Sequence, residues 1–152
     1  MKNTTEYVLN KLLVQLFNDI LQIEENAMNN TEFKDLSITE IHTIEAIGKE
    51  GNRTMGEIAN DLRITVGTLT TAINRLIKKG YVERKRIEED RRVVVVYLTE
   101  SGKKVFDEHT LFHKEMIDEV AKNFEDYELK VLTKALSKVS EFFEDKYQDL
   151  KE

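Results

Sequence analysis

The chain has 152 residues, of which 40% are hydrophobic and 34% charged, with a formal net charge of −6. That length gives one domain or one subunit, with enough apolar material to bury a core without cross-links. It contains no cysteine and no proline, which excludes a disulfide framework, a thiol nucleophile and a cysteine-ligated metal centre, and leaves long helices unbroken. No apolar run approaches the roughly 18 residues of a membrane span, and the polar start, Met1 to Tyr7, is not a signal peptide. A cytoplasmic chain with no membrane partner is expected.

In chain order, Leu12, Leu13, Leu16, Phe17, Ile20, Leu21 and Ile23 recur at helical spacing, predicting a first helix over Lys11 to Met28. Ser37-Ile38-Thr39-Glu40 is a capping box that opens a second helix through Ile41, Ile44 and Ile47, closed by Gly48 or Gly51. Thr54-Met55-Gly56-Glu57 is a second capping box, before a short helix with Ile58, Ala59 and Leu62. A turn, Arg63-Ile64-Thr65, leads to a third helix with Leu69, Ile73 and Leu76, stopped by Gly80. Two segments rich in β-branched and aromatic residues follow, Tyr81 to Ile87 and Arg92 to Leu98, with Glu88-Glu89-Asp90-Arg91 as a hairpin tip. Thr99 reads as the N-cap of a long helix through Val105, Phe106, Phe112, Met116 and Val120. The last helix carries Leu129, Leu132, Leu136, Val139, Phe143, Tyr147 and Leu150, a coiled-coil type of seam.

Helix, helix, short helix, turn, helix, hairpin is the order of a winged helix-turn-helix. The expected fold is therefore mainly α with a small β-hairpin wing, flanked by N- and C-terminal dimerisation helices. The expected divisions are residues 1–36, an N-terminal dimerisation helix; 37–99, a DNA-binding domain; and 100–152, C-terminal dimerisation helices. The first and last helices have apolar stripes with little else to pack on, and a symmetric homodimer would bury both.

Net charge argues against a nucleic-acid partner, but its distribution argues for one. All seven arginines lie between Arg53 and Arg92, a window with ten basic and six acidic residues. The Debye length at physiological salt is about 8 Å, so a phosphate on that window barely feels acidic groups farther off. Within the window, the start of the third helix offers Thr65, Gly67, Thr68, Thr70, Thr71, Asn74 and Arg75. Threonine can meet phosphate or a thymine methyl, asparagine can read adenine and arginine guanine, while Gly67 lets the backbone approach closely. The hairpin adds Arg84, Arg86, Arg91 and Arg92, and a tip arginine suits a narrow minor groove. Asp90 is assigned to this site as the residue that orients an arginine. The expected partner is a double-stranded operator with an inverted repeat, its half-sites roughly 34–36 Å apart.

The wing Asp90-Arg91-Arg92, followed by Leu98-Thr99 and Gly102, resembles the most specific local signature of the MarR family of dimeric winged-helix regulators. The resemblance runs over roughly residues 5–148. Further segments, among them Thr65-Val66-Gly67-Thr68, Lys79-Gly80-Tyr81-Val82-Glu83-Arg84 and Phe112-His113-Lys114, are similar to the family's repressors of fatty-acid synthesis genes. That similarity implies a repressor whose operator affinity responds to long-chain acyl-acyl carrier protein as corepressor, with the acyl chain in an apolar cavity. Leu13, Phe17, Leu21, Ile44, Ile47, Phe106 and Phe112 are suitable material for its lining.

The chain has three histidines, and His109 and His113 share a helix face at i, i+4. With His42 and Glu24 they resemble the metal site of zinc-sensing members of the same family, so a zinc-sensing repressor of metal-uptake genes is the alternative reading. The main reading involves no metal and no cofactor. A Gly-rich phosphate loop, a His-Glu-x-x-His motif and a Gly-x-Ser-x-Gly elbow are all missing, so no enzyme is expected.

Overall fold

The computed structural model describes residues 4–151. Met1, Lys2, Asn3 and Glu152 lie outside it, so the polar start is described only from Thr4. The elements are α1 (Thr5–Asn29), α2 (Ile38–Ile47), β1 (Arg53–Thr54), α3 (Met55–Leu62), α4 (Val66–Lys79), β2 (Val82–Arg86), β3 (Val94–Leu98), α5 (Glu100–Ala121) and α6 (Asp126–Asp149). Among the described residues no helix is long and apolar enough to cross a membrane. The chain divides into two compact units, one ending at Phe112 and the other starting at His113.

The first unit is a winged helix-turn-helix. Both capping boxes form, with Ser37 and Glu40 closing reciprocally at the start of α2 and Thr54 and Glu57 at the start of α3. Thr65 caps α4 by accepting from the Thr68 amide, and Gly80 ends it in the left-handed conformation at φ +86°, where a Cβ would be disfavoured. The core is one cluster around Ile41, Ile44, Ile47, Ile58, Leu69, Ile73, Leu76, Val82, Val96 and Val105, each at most 1% exposed. These are the apolar positions of the periodic pattern, drawn from α2, α3, α4, the sheet and α5.

The wing is antiparallel, with Val82 opposite Leu98 and Arg86 opposite Val94. It is shorter than the two segments read from β-propensity: the Tyr81 amide is taken by the Leu76 carbonyl at the end of α4, and beyond Arg86 and Val94 only the Ile87 amide still donates across, to the Val93 carbonyl. A third strand, β1, was not expected. Arg53 pairs with Val96 and Thr54 with Val95, giving the sheet order β1-β3-β2. Helix α1 starts six residues before the predicted Lys11, because Thr4 supplies an N-cap that accepts from the Tyr7 amide.

Where α5 leaves the sheet, the Thr99 hydroxyl accepts from the Gly102 amide and donates to the Gly80 carbonyl, and the Thr99 amide donates to the Tyr81 carbonyl. A Cβ on Gly102 would lie 2.1 Å from that Tyr81 oxygen, so only glycine lets the helix start so close to the strand. In the second unit, α6 opens with the Glu125 amide donating to Glu128. None of its residues is buried, and Leu136 and Phe143 of the expected seam are about half exposed.

Candidate nucleic-acid interface

The N-terminal part of α4 presents its polar residues outward while Leu69, Ile73 and Leu76 anchor it in the core. Thr65, Gly67, Thr68, Thr71, Asn74 and Arg75 are exposed, and Thr70 is half-buried. Several threonine hydroxyls serve the helix itself. Thr65 Oγ1 accepts from the Thr68 amide at 3.2 Å and lies 2.9 Å from Thr68 Oγ1. Thr70 donates to the Val66 carbonyl at 2.8 Å and Thr71 to the Gly67 carbonyl at 3.4 Å. What these two threonines offer outward is therefore a methyl group and oxygen lone pairs. A Cβ on Gly67 would come no nearer than 3.9 Å to a neighbouring atom, so the surface there is open to close approach.

Two clefts flank the helix. One has Thr68, Thr71 and Arg75 on one wall and Ser37, Thr39 and Glu40 of the α2 start on the other. The second brings Thr70 and Met55 together with Arg84, Lys85 and Arg86 of the wing. Ser37 and Thr39 were absent from the sequence-based set. They read as part of a cap, and only the packing of α2 on α4 places them beside the reading residues. Lys85, which the sequence already sets between Arg84 and Arg86 on the wing, lines the second cleft with them.

At the wing tip, Arg84, Arg86 and Arg91 surround a shallow basic cleft, and Arg86 donates to the Arg91 carbonyl at 3.4 Å. Arg91 and Arg92 are exposed. Asp90 acts first on the backbone: its Oδ1 accepts from the Arg92 amide at 3.0 Å, closing an Asx-type turn, and lies 3.5 Å from Arg92 Nε. It shapes the tip that carries the arginines and pairs with the Arg92 guanidinium, in keeping with the expected orienting role.

Not every basic group of the charge window faces outward. Arg53 donates to the Ala46 carbonyl at 2.5 Å and pairs with Asp61 at 2.7 Å. Lys79 donates to the Asp35 carbonyl and to Glu40. Burial would raise the Glu40 carboxyl, but Lys79 and the Ser37 amide outweigh it and hold it below its ordinary range.

The other residues singled out divide sharply. Ile44 and Ile47 are packed inside the winged-helix core, so they cannot line a ligand cavity as expected; periodicity showed them apolar but not which surface they serve. Leu13, Phe106 and Phe112 are half-buried, while Phe17 is 63% and Leu21 44% exposed. Glu24 is 1% and His109 2% exposed. The Glu24 carboxylate accepts from both His109 Nε2 and His42 Nε2, the latter at 3.0 Å, and His109 Nδ1 lies 3.6 Å from Glu45. Burial raises the Glu24 carboxyl, yet the two imidazoles hold it below its ordinary range. This cluster ties α1, α2 and α5 together. His113 lies in the second unit, one helical turn along α5.

A helix-turn-helix with an exposed polar reading helix, followed by an arginine-tipped hairpin, defines a winged-helix, DNA-binding transcription regulator and not an enzyme. The chain belongs to the MarR family of such regulators, whose profile matches residues 36–94. It is 31% identical over 105 residues to the regulator BilQ of Clostridium symbiosum, covering 68% of this chain and 72% of that one. It is 28% identical to the regulator YpoP of Bacillus subtilis over 88% of this chain and 89% of that one. The crystal structure of Streptococcus pneumoniae FabT in complex with DNA superposes with a TM-score of 0.87, at 41% identity over 90% of this chain and 96% of that one.

Proposed function

We propose that the protein is a homodimeric repressor of fatty-acid biosynthesis genes whose operator affinity is modulated by long-chain acyl-acyl carrier protein. The similarity to FabT along nearly the whole chain supports this reading, and the surface of α1 carries it. That helix has two apolar stripes. Leu9, Leu12, Leu16, Ile20 and Ile23 form one, and Leu13, Phe17 and Leu21 form another that continues into the buried Glu24 and Met28. A second copy of the chain covers one stripe and leaves Phe17 and Leu21 for a different apolar partner. An acyl chain gains about 0.8 kcal/mol per buried CH₂ there, so sixteen or eighteen carbons bind with useful strength. Phe106 and Phe112 complete the proposed lining, without Ile44 and Ile47. Preferential binding to one dimer conformation then shifts the population toward it.

The DNA contacts in this proposal are Thr65, Gly67, Thr68, Thr70, Thr71, Asn74 and Arg75 in the major groove and Arg84, Arg86, Arg91 and Arg92 on the wing, with Asp90 shaping the tip. The alternative, a zinc sensor, keeps one specific observation in its favour: Glu24, His42 and His109 converge, and a carboxylate with two imidazoles suits zinc. Gel shifts on a duplex selected by the wild-type protein from a random pool separate the two. Acylated carrier protein should change affinity at least several-fold, more with longer chains, while zinc and a chelator do little. Equal affinity with acylated and unacylated carrier, together with a chelator-sensitive shift abolished by His109→Ala, would replace this reading with the zinc sensor.

A further inference from the structure

The segment that precedes α2 grips the protein on both sides of Gly80. Lys79, the last residue of α4, donates to the Asp35 carbonyl at 2.5 Å and to Glu40 Oε1 and Oε2 at 3.1 and 2.9 Å. Tyr81, just before the wing, donates its hydroxyl to Asp35 Oδ1 at 2.9 Å. The ammonium therefore spends its hydrogen bonds on the Asp35 carbonyl and the Glu40 carboxylate, which draws it away from a DNA phosphate. The Glu40 side chain is 7% exposed, and its Oε2 also accepts from the Ser37 amide at 2.9 Å. One carboxylate thus caps the start of α2 and holds the end of the reading helix.

The location of that carboxylate is unexpected on electrostatic grounds. Glu40 shares a cleft with Thr68, Thr71 and Arg75, where DNA phosphates must approach, and a negative charge there opposes them. Geometry supplies a reason to keep it. Between Lys79 and Thr68 the helix runs roughly 16 Å at about 1.5 Å per residue, so a tilt of about 5° at the clamped end moves the reading end by about 1.4 Å. Base-edge hydrogen bonds do not tolerate that displacement.

We propose that Glu40 and Lys79, with Asp35 and Tyr81, form a clamp across Gly80 that fixes the reading helix relative to the wing, so that Lys79 and Glu40 are positioning residues for operator recognition. The clamp predicts an effect opposite in sign to simple electrostatics. Glu40→Gln removes a negative charge beside the DNA and still permits a capping box. Charge alone would tighten binding to every duplex.

Binding of the variants is measured by fluorescence anisotropy on two duplexes, one selected by the wild-type protein and one scrambled. Glu40→Gln should weaken the selected duplex at least fivefold while the scrambled one binds equally well or better. Lys79→Met should lower the same selectivity ratio, Lys79→Arg should restore most of it, and the double variant should be no worse than either single one. Tyr81→Phe tests the other arm without altering charge and should lower the ratio about two- to fivefold. Should Glu40→Gln fail to fold, as read by circular dichroism, the Lys79→Met, Lys79→Arg and Tyr81→Phe series decides. An unchanged or higher ratio in the folded variants, or equal losses on both duplexes, would overturn the clamp.

Discussion

Gly102→Ala should damage the joint between the wing and α5. The added Cβ would lie 2.1 Å from the Tyr81 carbonyl oxygen and 3.2 Å from Leu98 Cβ. An ordinary carbon–oxygen contact is about 3.3 Å, so the overlap is roughly 1.2 Å against backbone that cannot rotate away. Relief requires α5 to shift outward. That shift strains the Thr99 amide bond to Tyr81 and the Thr99 hydroxyl bond to Gly80, at 3.1 and 2.7 Å. Overpacking of this kind costs about 1–3 kcal/mol, and weakening these two hydrogen bonds adds up to about 1 kcal/mol. For a chain of this size a loss of about 3 kcal/mol lowers the melting temperature by about 6–12 °C. Differential scanning calorimetry at fixed protein concentration measures it. A variant melting within about 1 °C of wild type would refute the steric argument, whereas Gly56→Ala, where a Cβ has nothing within 4 Å, provides the control.

Arg91→Ala should weaken binding to a selected operator by about 1–3 kcal/mol and reduce its salt dependence, measured by titration at several ionic strengths. Tyr81 carries a phenol that burial, with Asp35 beside it, pushes from 10.0 up to about 12. The folded state favours the neutral phenol, so its contribution is intact below pH 10 and is lost as pH rises toward 12. The stability gap between wild type and Tyr81→Phe should therefore narrow across that range in urea titrations. Leu136→Asp and Phe143→Asp place charge on the proposed dimer seam and should lower both dimer content, by light scattering, and DNA affinity. A wild-type protein that is monomeric at micromolar concentration would refute the seam.

The local boundaries were legible because they depend on local chemistry. Ser37 with Glu40, Thr54 with Glu57, Thr65, Gly80 and Thr99 each terminate an element through partners within a few residues. Features that depend on distant pairing were not. Strand β1 has only two residues and exists because Val95 and Val96 of β3 accept it across roughly forty positions of chain. The clefts beside α4 are equally non-local, so Ser37 and Thr39 looked like cap residues alone. Ile44 and Ile47 show a further limit. Periodicity identified an apolar face, but α2 sits between several apolar surfaces, and only tertiary packing assigned these two to the core. The meeting of Glu24 with His42 and His109 came from family resemblance, since no spacing rule links residues 18 and 85 positions apart.

Charge offers the same lesson in a form that bears on function. Seen as a count, the window from Arg53 to Arg92 is modestly basic within an acidic chain. The structure sorts its cations by task. Arg53 is spent on Asp61 and the end of α2, and Lys79 on Glu40, so neither contributes freely to a phosphate site. Arg84, Lys85, Arg86, Arg91 and Arg92, by contrast, are all exposed on the wing, and Arg75 is exposed on the reading helix. The positive field is therefore more concentrated than the count suggests, on two adjoining elements separated by Gly80. Screening over about 8 Å keeps the acidic remainder of the chain from cancelling it at contact range. It follows that DNA affinity should depend far more on these six side chains than on net charge. It also follows that the residues holding their two elements in register matter as much as those that touch DNA.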